Sequence, residues 1–352
     1  MSTTDTAPAA QASEYEEADV ETYRPRNLTL EQVRSFGSIG NLNEGIEIKP
    51  DGISTRLLAW PGIGYPNQGL HVLTLTSGQT VKHYSYAVSE EALFCIRGKG
   101  MVYIRDGWYE VEAGDIAYCP EGVAHALSNP YKEDFVLVTQ ITPPQVQLYE
   151  QDGYYDQSER AFNFDLIAKA QKAAGTGDLP ADDMQLHYND SHPEIRSWNL
   201  TNESIRSGGA LFNIFVGADF TGIEVPMKLV LFPGFGTRLA GLHVGYVAAD
   251  AGSDVHSHPI SEDCVITHMG TNWAYIDGKR VRLRALDVAM ASVQALHGGV
   301  PGEGAEAALM TGFGAPAQQD LYMDTPYYDK DDGTYSRPES TRLEIPAAQG
   351  SS

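Results

Sequence analysis

The sequence predicts an all-β protein in which two domains of the same architecture follow one another, joined by a short helical connector. The first observation is an internal repeat at a constant offset of 172 residues. The second is that each repeat divides into short alternating runs of apolar and polar residues separated by turn signals, which is typical of barrels and sandwiches. The third is a run with helical spacing at residues 165–174, between the two repeats.

The repeat holds its register over a long stretch of chain. The sequence GLHV at residues 69–72 returns at residues 241–244, and His125 returns as His297, both at the offset of 172. No gap is needed between these matches, and a chance similarity would not keep register over such a distance. We therefore expect two copies of one supersecondary architecture.

The pattern along the chain divides it into five segments. Both ends are polar and are predicted to be loose, and the connector is bounded by Gly175 and a linker that contains glycine and proline. The segments are a flexible amino-terminal tail (1–24), the first domain (25–160), the connector and linker (161–198), the second domain (199–330) and a carboxy-terminal tail (331–352).

Composition excludes several classes of function. The chain has 24 Lys and Arg against 47 Asp and Glu, a formal charge of −23, which disfavours binding to nucleic acids and to anionic membrane surfaces. No stretch is apolar enough for a signal peptide or a membrane span. The 3 cysteines form neither a disulfide framework nor a thiolate metal site, so we predict a cytoplasmic protein.

The chain resembles the cupin superfamily in both repeats. In the first repeat, the fixed positions of the second cupin motif are matched by Gly114, Pro120, Gly122, His125 and Asn129. In the second repeat, His256-Ser257-His258, the pair Glu262-Asp263 and Gly270 match the first cupin motif. The resemblance implies a bicupin: two tandem double-stranded β-helix, or jelly-roll, barrels, each with an internal pocket.

The second repeat carries the candidate metal ligands. His256 and His258 stand at i and i+2, so on a strand their side chains share a face and can bind one ion with a carboxylate. His297 is the third imidazole, because its repeat partner His125 occupies the motif position of the family. The carboxylate is either Asp263, which fits the spacing to the glycine, or Glu262, which has the residue type usual in the family; the spacing favours Asp263.

The first repeat lacks the histidine pair. Tyr84 and Tyr86 replace His256 and His258, and because a phenol is a poor ligand at neutral pH we predict no metal in this barrel.

Three other histidines are weaker candidates. His71 and His243 are equivalent in the two repeats, which favours a structural hydrogen bond over catalysis. His268 shares a strand face with Glu262 and would lie close to the metal only if Glu262 is the ligand.

The resemblance implies a metal-dependent enzyme with a small-molecule substrate. Similarity to bicupin dioxygenases favours iron(II) and cleavage of an aromatic or enolic substrate, with manganese, zinc, nickel or copper as alternative ions. Similarity to ureidoglycine aminohydrolase favours a hydrolase, lyase or isomerase that consumes no oxygen, and a non-catalytic binding protein is the third interpretation. The resemblance also implies a homodimer or a higher homo-oligomer. The residues themselves do not identify a catalytic acid or base.

Overall fold

The computed structural model describes residues 15–182, 185–220, 225–249 and 251–345. It confirms the predicted all-β fold with two barrels. The strands of the first half are β1 (Glu16–Ala18), β2 (Ser38–Asn41), β3 (Ile46–Ile48), β4 (Ser54–Ala59), β5 (Gly69–Leu75), β6 (Thr80–Tyr84), β7 (Glu90–Arg97), β8 (Lys99–Ile104), β9 (Gly107–Glu112), β10 (Asp115–Cys119), β11 (His125–Ser128), β12 (Phe135–Thr142), β13 (Tyr155–Asp156) and β14 (Ala161–Phe162).

The second half repeats this pattern of strands. They are β15 (Ala210–Asn213), β16 (Val216–Phe220), β17 (Met227–Leu231), β18 (Gly241–Val247), β19 (Glu262–Met269), β20 (Thr271–Ile276), β21 (Lys279–Arg284), β22 (Asp287–Ala291), β23 (Gly298–Val300), β24 (Ala308–Ala315), β25 (Tyr328–Asp329), β26 (Thr334–Tyr335) and β27 (Thr341–Arg342). The α-helices are α1 (Leu30–Phe36), α2 (Phe164–Ala173), α3 (Asn202–Gly208) and α4 (Gln319–Tyr322).

The helices α1 and α3 start at equivalent points of the repeat. Thr29 caps α1 and Thr201 caps α3, each through a side-chain oxygen that accepts from a main-chain N–H in the first turn. The connector helix α2 lies where helical spacing predicts it, and the side chain of Asn163 caps its amino terminus. None of the described helices is long and apolar enough to cross a membrane.

Each barrel is built from one large sheet and one four-stranded sheet. In the first barrel, the large sheet has the order β15-β10-β7-β12-β5-β4-β3 and the small sheet the order β6-β11-β8-β9. In the second barrel, the corresponding orders are β2-β22-β19-β24-β18-β17-β16-β27 and β1-β21-β20-β23. The two large sheets pack against each other, and this contact includes Phe94 against Phe313, with ring centroids 6.3 Å apart.

The barrels exchange strands across the predicted domain limits. Strand β2, from the first half, pairs with β22 of the second barrel, and β15, from the second half, pairs with β10 of the first. Each sheet thereby gains a backbone partner for an edge that would otherwise be exposed. The predicted domains 25–160 and 199–330 are therefore not self-contained.

The prediction of loose tails is wrong for the described part of both ends. Strand β1 pairs in parallel with β21, and β27 pairs with β16, so backbone hydrogen bonds hold both segments on the second barrel. Residues 1–14 and 346–352 lie outside the described part of the chain.

Buried ion pairs join the two halves in the same reciprocal way. Arg24 of the first half donates to Asp287 of the second at 2.9 Å, and its repeat partner Arg196 donates to Asp115 of the first at 2.6 Å. Arg196 and Asp115 are completely buried. These pairs join each exchanged segment to the opposite barrel, and loss of one partner would leave a buried charge uncompensated.

Candidate metal centre

Main-chain pairing brings two of the candidate imidazoles together. His256 and His297 form an isolated antiparallel bridge, with main-chain N–O distances of 2.8 and 2.9 Å. The His256-Ser257-His258 segment is thus a single bridge rather than the regular strand that we predicted. His258 lies two residues further on, and one ring nitrogen of each of the three histidines lies within 4.8 Å of the others. The geometry gathers three potential nitrogen ligands around one point.

Hydrogen bonds from Nδ1 orient the three rings. His256 Nδ1 donates to the carbonyl oxygen of Asp254 at 2.8 Å, and His297 Nδ1 donates to that of Ala295 at 2.9 Å. His258 Nδ1 donates to Oδ2 of Asp320, also at 2.8 Å. Donation from Nδ1 leaves Nε2 of each ring as the lone-pair nitrogen that a metal takes.

Burial and neighbouring charges set the protonation of the rings. Burial, reinforced by repulsion from His297, lowers the pKa of His256 to about 4, so this imidazole is neutral at pH 7. Burial acts in the same direction on His258, but the Asp320 carboxylate outweighs it and raises the pKa of His258 above its ordinary value. A metal ion therefore competes with a proton at His258 more than at His256.

Asp263 is the carboxylate that faces the histidines. Its Oδ2 lies 3.5 Å from Nε2 of His297, while its buried Oδ1 has no hydrogen-bond partner in the described part of the chain. Burial alone would raise the pKa of Asp263, but the imidazoles of His297, His243 and His258 lower it below its usual range. The side chain is therefore an anion with an unpaired oxygen next to three imidazoles.

Glu262 faces the opposite side of β19, because neighbouring residues of a strand alternate between faces. Its Oε1 accepts a hydrogen bond from the main-chain N–H of Asn67 at 2.9 Å, and burial raises its pKa to about 8. The repeat partner Glu90 accepts from the main-chain N–H groups of residues 238–240 in the same way. Glu262 thus joins the two barrels, and of the two predicted carboxylates only Asp263 has its side chain directed at the histidines.

His268 lies with Glu262 on the side of the inter-barrel core. Its Nε2 is 2.7 Å from Oγ1 of Thr311, and its ring packs edge-on against Phe94. Burial lowers the pKa of His268 to about 3, which keeps the ring uncharged. The contacts of His268 therefore lie in the core between the barrels.

The equivalent place in the first barrel is closed by hydrogen bonds. Glu91, the partner of Asp263, accepts from Thr139 at 2.7 Å and from Tyr84 at 3.0 Å, and its Oε2 is 2.8 Å from Nε2 of His125. Burial opposes protonation of His125, but Cys119 and Glu91 outweigh it and raise the pKa of His125 to about 11. The nitrogen that would bind a metal is already committed to a carboxylate. This network supports the prediction of a barrel without a metal.

The interiors of the two barrels differ in how far side chains fill them. Leu93 and Leu137 are 1% and 0% exposed inside the first barrel, whereas their partners Val265 and Met310 in the second barrel are only partly buried. From β12 and β24 onward the offset between partners is 173, because the second repeat has one extra residue before β24. Several interior residues of the first barrel have smaller partners in the second: Leu73 and Gly245, Phe135 and Ala308, Cys119 and Ala291, Thr139 and Gly312, Ile141 and Gly314. The interior of the second barrel is therefore lined by smaller and partly exposed side chains, in contrast to the filled interior of the first.

Two residues at this centre were not anticipated from the sequence. Asp320 holds His258 through Nδ1, and the side-chain nitrogen of Gln318 is 3.1 Å from Nε2 of the same ring. Both follow β24, where the chain returns to the histidines. Because the second repeat has one extra residue, the repeat partners of Gln318 and Asp320 are Gln145 and Gln147. The change from Gln147 to an acidic residue at Asp320 is the only sign in the sequence that this segment differs between the repeats.

The donor set fits a divalent transition metal. Three imidazoles and one carboxylate are ligands that such ions take, and they leave positions for water or substrate. Two buried atoms of this set, His297 Nε2 and Asp263 Oδ1, have no hydrogen-bond partner among the described residues. A bound ion would satisfy a cluster that is otherwise costly to bury.

Comparisons with known proteins give the same fold. The cupin domain family model matches residues 71–141, in the first barrel. The structure of protein Ylba from E. coli aligns with a TM-score of 0.50 at 13% identity, over 80% of this chain and 92% of the other. A variant of the Bacillus subtilis oxalate decarboxylase aligns with a TM-score of 0.50 at 13% identity, over 87% and 89%. No protein of curated function matches the sequence.

Proposed function

We propose that this two-barrel protein of the cupin superfamily is a metal-dependent enzyme whose active site is the interior of the second barrel. The observation that carries the proposal is the contrast between equivalent places in the two repeats. One is closed by the Glu91 network, and the other leaves buried atoms of Asp263 and His297 without a hydrogen-bond partner among the described residues. A purely structural barrel would have no need of this open cluster.

His256, His258 and His297 would hold the ion through Nε2, and Asp263 would hold it through a carboxylate oxygen. When bound, the ion supplies Lewis acidity and, if it is iron(II), the electrons that activate dioxygen. Three neutral imidazoles and one carboxylate leave a divalent centre with one net positive charge. The site therefore favours a small substrate that offers an anionic oxygen, such as an enolate, a phenolate or a carboxylate.

We propose iron(II) and the oxidative cleavage of a small aromatic or enolic substrate as the reaction. The support is chemical: imidazole and carboxylate donors with open positions are typical of iron(II) oxygenases. The interior side chains of the second barrel are smaller than those of the first, among them Gly245 and Ala308, which suits a site for a small substrate rather than a filled core. The substrate would lie there beside Asp263 and the three histidines.

A second candidate is a hydrolase, lyase or isomerase that uses manganese, zinc or nickel and no oxygen. His243 favours it, because this buried imidazole lies inside the barrel near Asp263 and its Nδ1 has no hydrogen-bond partner among the described residues. Burial lowers the pKa of His243, so the ring is uncharged and can accept a proton.

Oxygen consumption separates the two candidates. The protein is loaded anaerobically with iron(II) or manganese(II) and mixed with catechol, gentisate or acetylacetone in an oxygen electrode. Oxygen uptake with iron that His258→Ala abolishes and His83→Ala retains supports the dioxygenase, since His83 is an exposed histidine of the first barrel. Turnover in the absence of oxygen contradicts it and supports the second candidate.

A further inference from the structure

Four polar residues have the same identity in both repeats but different surroundings. In the first barrel, Nε2 of His71 is 3.1 Å from the hydroxyl of Tyr149, and the amide of Gln145 donates to the hydroxyl of Ser89. Their partners in the second barrel are His243, Tyr322, Gln318 and Ser261. Each of these four has a buried polar atom without a partner in the described part of the chain: His243 Nδ1, Tyr322 Oη, Gln318 Oε1 and Ser261 Oγ.

Two substitutions between the repeats account for the difference. Thr139 and Ile141 of the first barrel are replaced by Gly312 and Gly314 in the second. A Cβ atom on Gly312 would lie 2.1 Å from Nε2 of His243, and one on Gly314 would lie 2.7 Å from Cγ of Gln318. The glycines thus create the space that His243 and Gln318 occupy.

These side chains adjoin the metal centre. The amide nitrogen of Gln318 is 3.1 Å from Nε2 of His258, the atom that an ion would take, so metal binding releases this amide for another partner. Asp263 is close enough for its charge to act on both His243 and Tyr322. Polar atoms that are buried without partners, next to a centre with open positions, point to a ligand that supplies the partners.

We propose that His243, Gln318 and Tyr322 form a subsite beside the metal that binds the hydroxyl group of a small hydroxy acid. This inference rests on the proposed metal centre, whose net positive charge would take the carboxylate of the same molecule. The subsite offers both donors and acceptors, which matches a hydroxyl group because that group also donates and accepts.

The subsite is uncharged, which defines the ligand further. Burial lowers the pKa of His243 and raises that of Tyr322, so the imidazole is neutral and the phenol keeps its proton at pH 7. The neighbouring Asp320 carboxylate is held by His258 through Oδ2, and its buried Oδ1 is a further acceptor. Because the subsite is neutral and lies near the Asp320 carboxylate, it disfavours a ligand with a second anionic group. It favours a ligand whose second group is an alcohol.

The test compares two acids that differ by one hydroxyl group. Manganese(II) affinity is measured first, and the manganese-loaded protein is then titrated with glycolate and with acetate by calorimetry. We expect glycolate to bind at least about tenfold more tightly, and Tyr322→Phe to reduce this preference about fivefold, as loss of one hydrogen bond predicts. Gln318→Leu should reduce the preference as well. The matched control is Tyr149→Phe, in the first barrel, which should retain the preference.

The outcomes separate the subsite from the metal centre. Failure of the wild-type protein to bind manganese(II), or any other divalent ion, would contradict the proposed function itself. Normal metal binding with an unchanged glycolate preference in Tyr322→Phe and Gln318→Leu would overturn only the subsite. Equal affinity of the wild-type protein for glycolate and acetate would overturn it too.

Discussion

The carboxylate of Asp320 should strengthen metal binding through His258, without touching the ion. Substitution Asp320→Asn keeps an acceptor for Nδ1 but removes the charge that makes the imidazole more basic. Loss of such a partner typically weakens metal binding about 10- to 100-fold. Because the Asp320 side chain is 33% exposed, solvent screens part of its effect. We therefore expect a loss of about tenfold, or about 1.4 kcal/mol, at pH 8.

The pH dependence distinguishes this role from a general loss of structure. Asp320 raises the pKa of His258, so a proton competes with the metal in the wild-type protein as the pH falls through that pKa. In Asp320→Asn the carboxylate of residue 320 no longer raises the pKa of His258, so a proton competes less with the metal there. The difference of about tenfold in metal affinity between the wild-type protein and the variant should therefore narrow at pH 6. Manganese(II) affinity is measured by competition with a fluorescent chelator at both pH values.

Asp324→Asn is the control, because Asp324 is 81% exposed and pairs only with Lys330 among the described residues. Equal affinities of wild type and Asp320→Asn at pH 8 would refute the reasoning.

Three further predictions concern the buried carboxyl of Glu262, the interior of the second barrel, and the ion pair of Arg196 with Asp115. Burial raises the pKa of Glu262 from 4.5 to about 8, so the folded chain binds more protons than the unfolded chain between these pH values and stability falls as the pH rises. The free energy of unfolding in urea should decline less between pH 5 and pH 8 in Glu262→Gln than in the wild-type protein. An identical decline in both proteins would contradict this. Gly245→Leu restores the residue type of its partner Leu73, and its Cβ would lie 3.2 Å from Cγ of Met227, so the side chain should crowd the barrel interior and abolish glycolate binding while metal binding persists. Retained glycolate binding in calorimetry would argue against a ligand in the barrel interior. Arg196→Met leaves Asp115 buried without its partner and should lower the free energy of unfolding by about 3–5 kcal/mol, whereas a change below about 1 kcal/mol in urea titrations would show that the pair is dispensable.

The sequence was sufficient to predict the architecture and most of the candidate site, because the repeat transfers information between the two halves. His297 follows no motif of its own, and it is identified as a candidate only because it stands 172 residues after His125. The choice between Asp263 and Glu262 required the structure. Adjacent strand residues face opposite sides, and sequence spacing alone does not establish which side is the interior.

Other features depend on contacts between segments far apart in the chain. The exchange of β2 and β15 and the pairing of β1 with β21 leave no local signal, since strand propensity does not specify the partner. Asp320 and Gln318 come to the site only because the chain after β24 returns to His258. The smaller side chains inside the second barrel are different, because the replacement of Leu73 by Gly245 is visible in the aligned repeats.

The metal content of the purified protein tests the central claim most directly. Elemental analysis after loading with a divalent ion and gel filtration should find about one ion per chain in the wild-type protein, as one cluster of ligands predicts. His297→Ala and Asp263→Ala should lose the ion, whereas Glu262→Gln should keep it. A wild-type protein without metal, or variants at His297 and Asp263 that retain the full amount, would contradict the account.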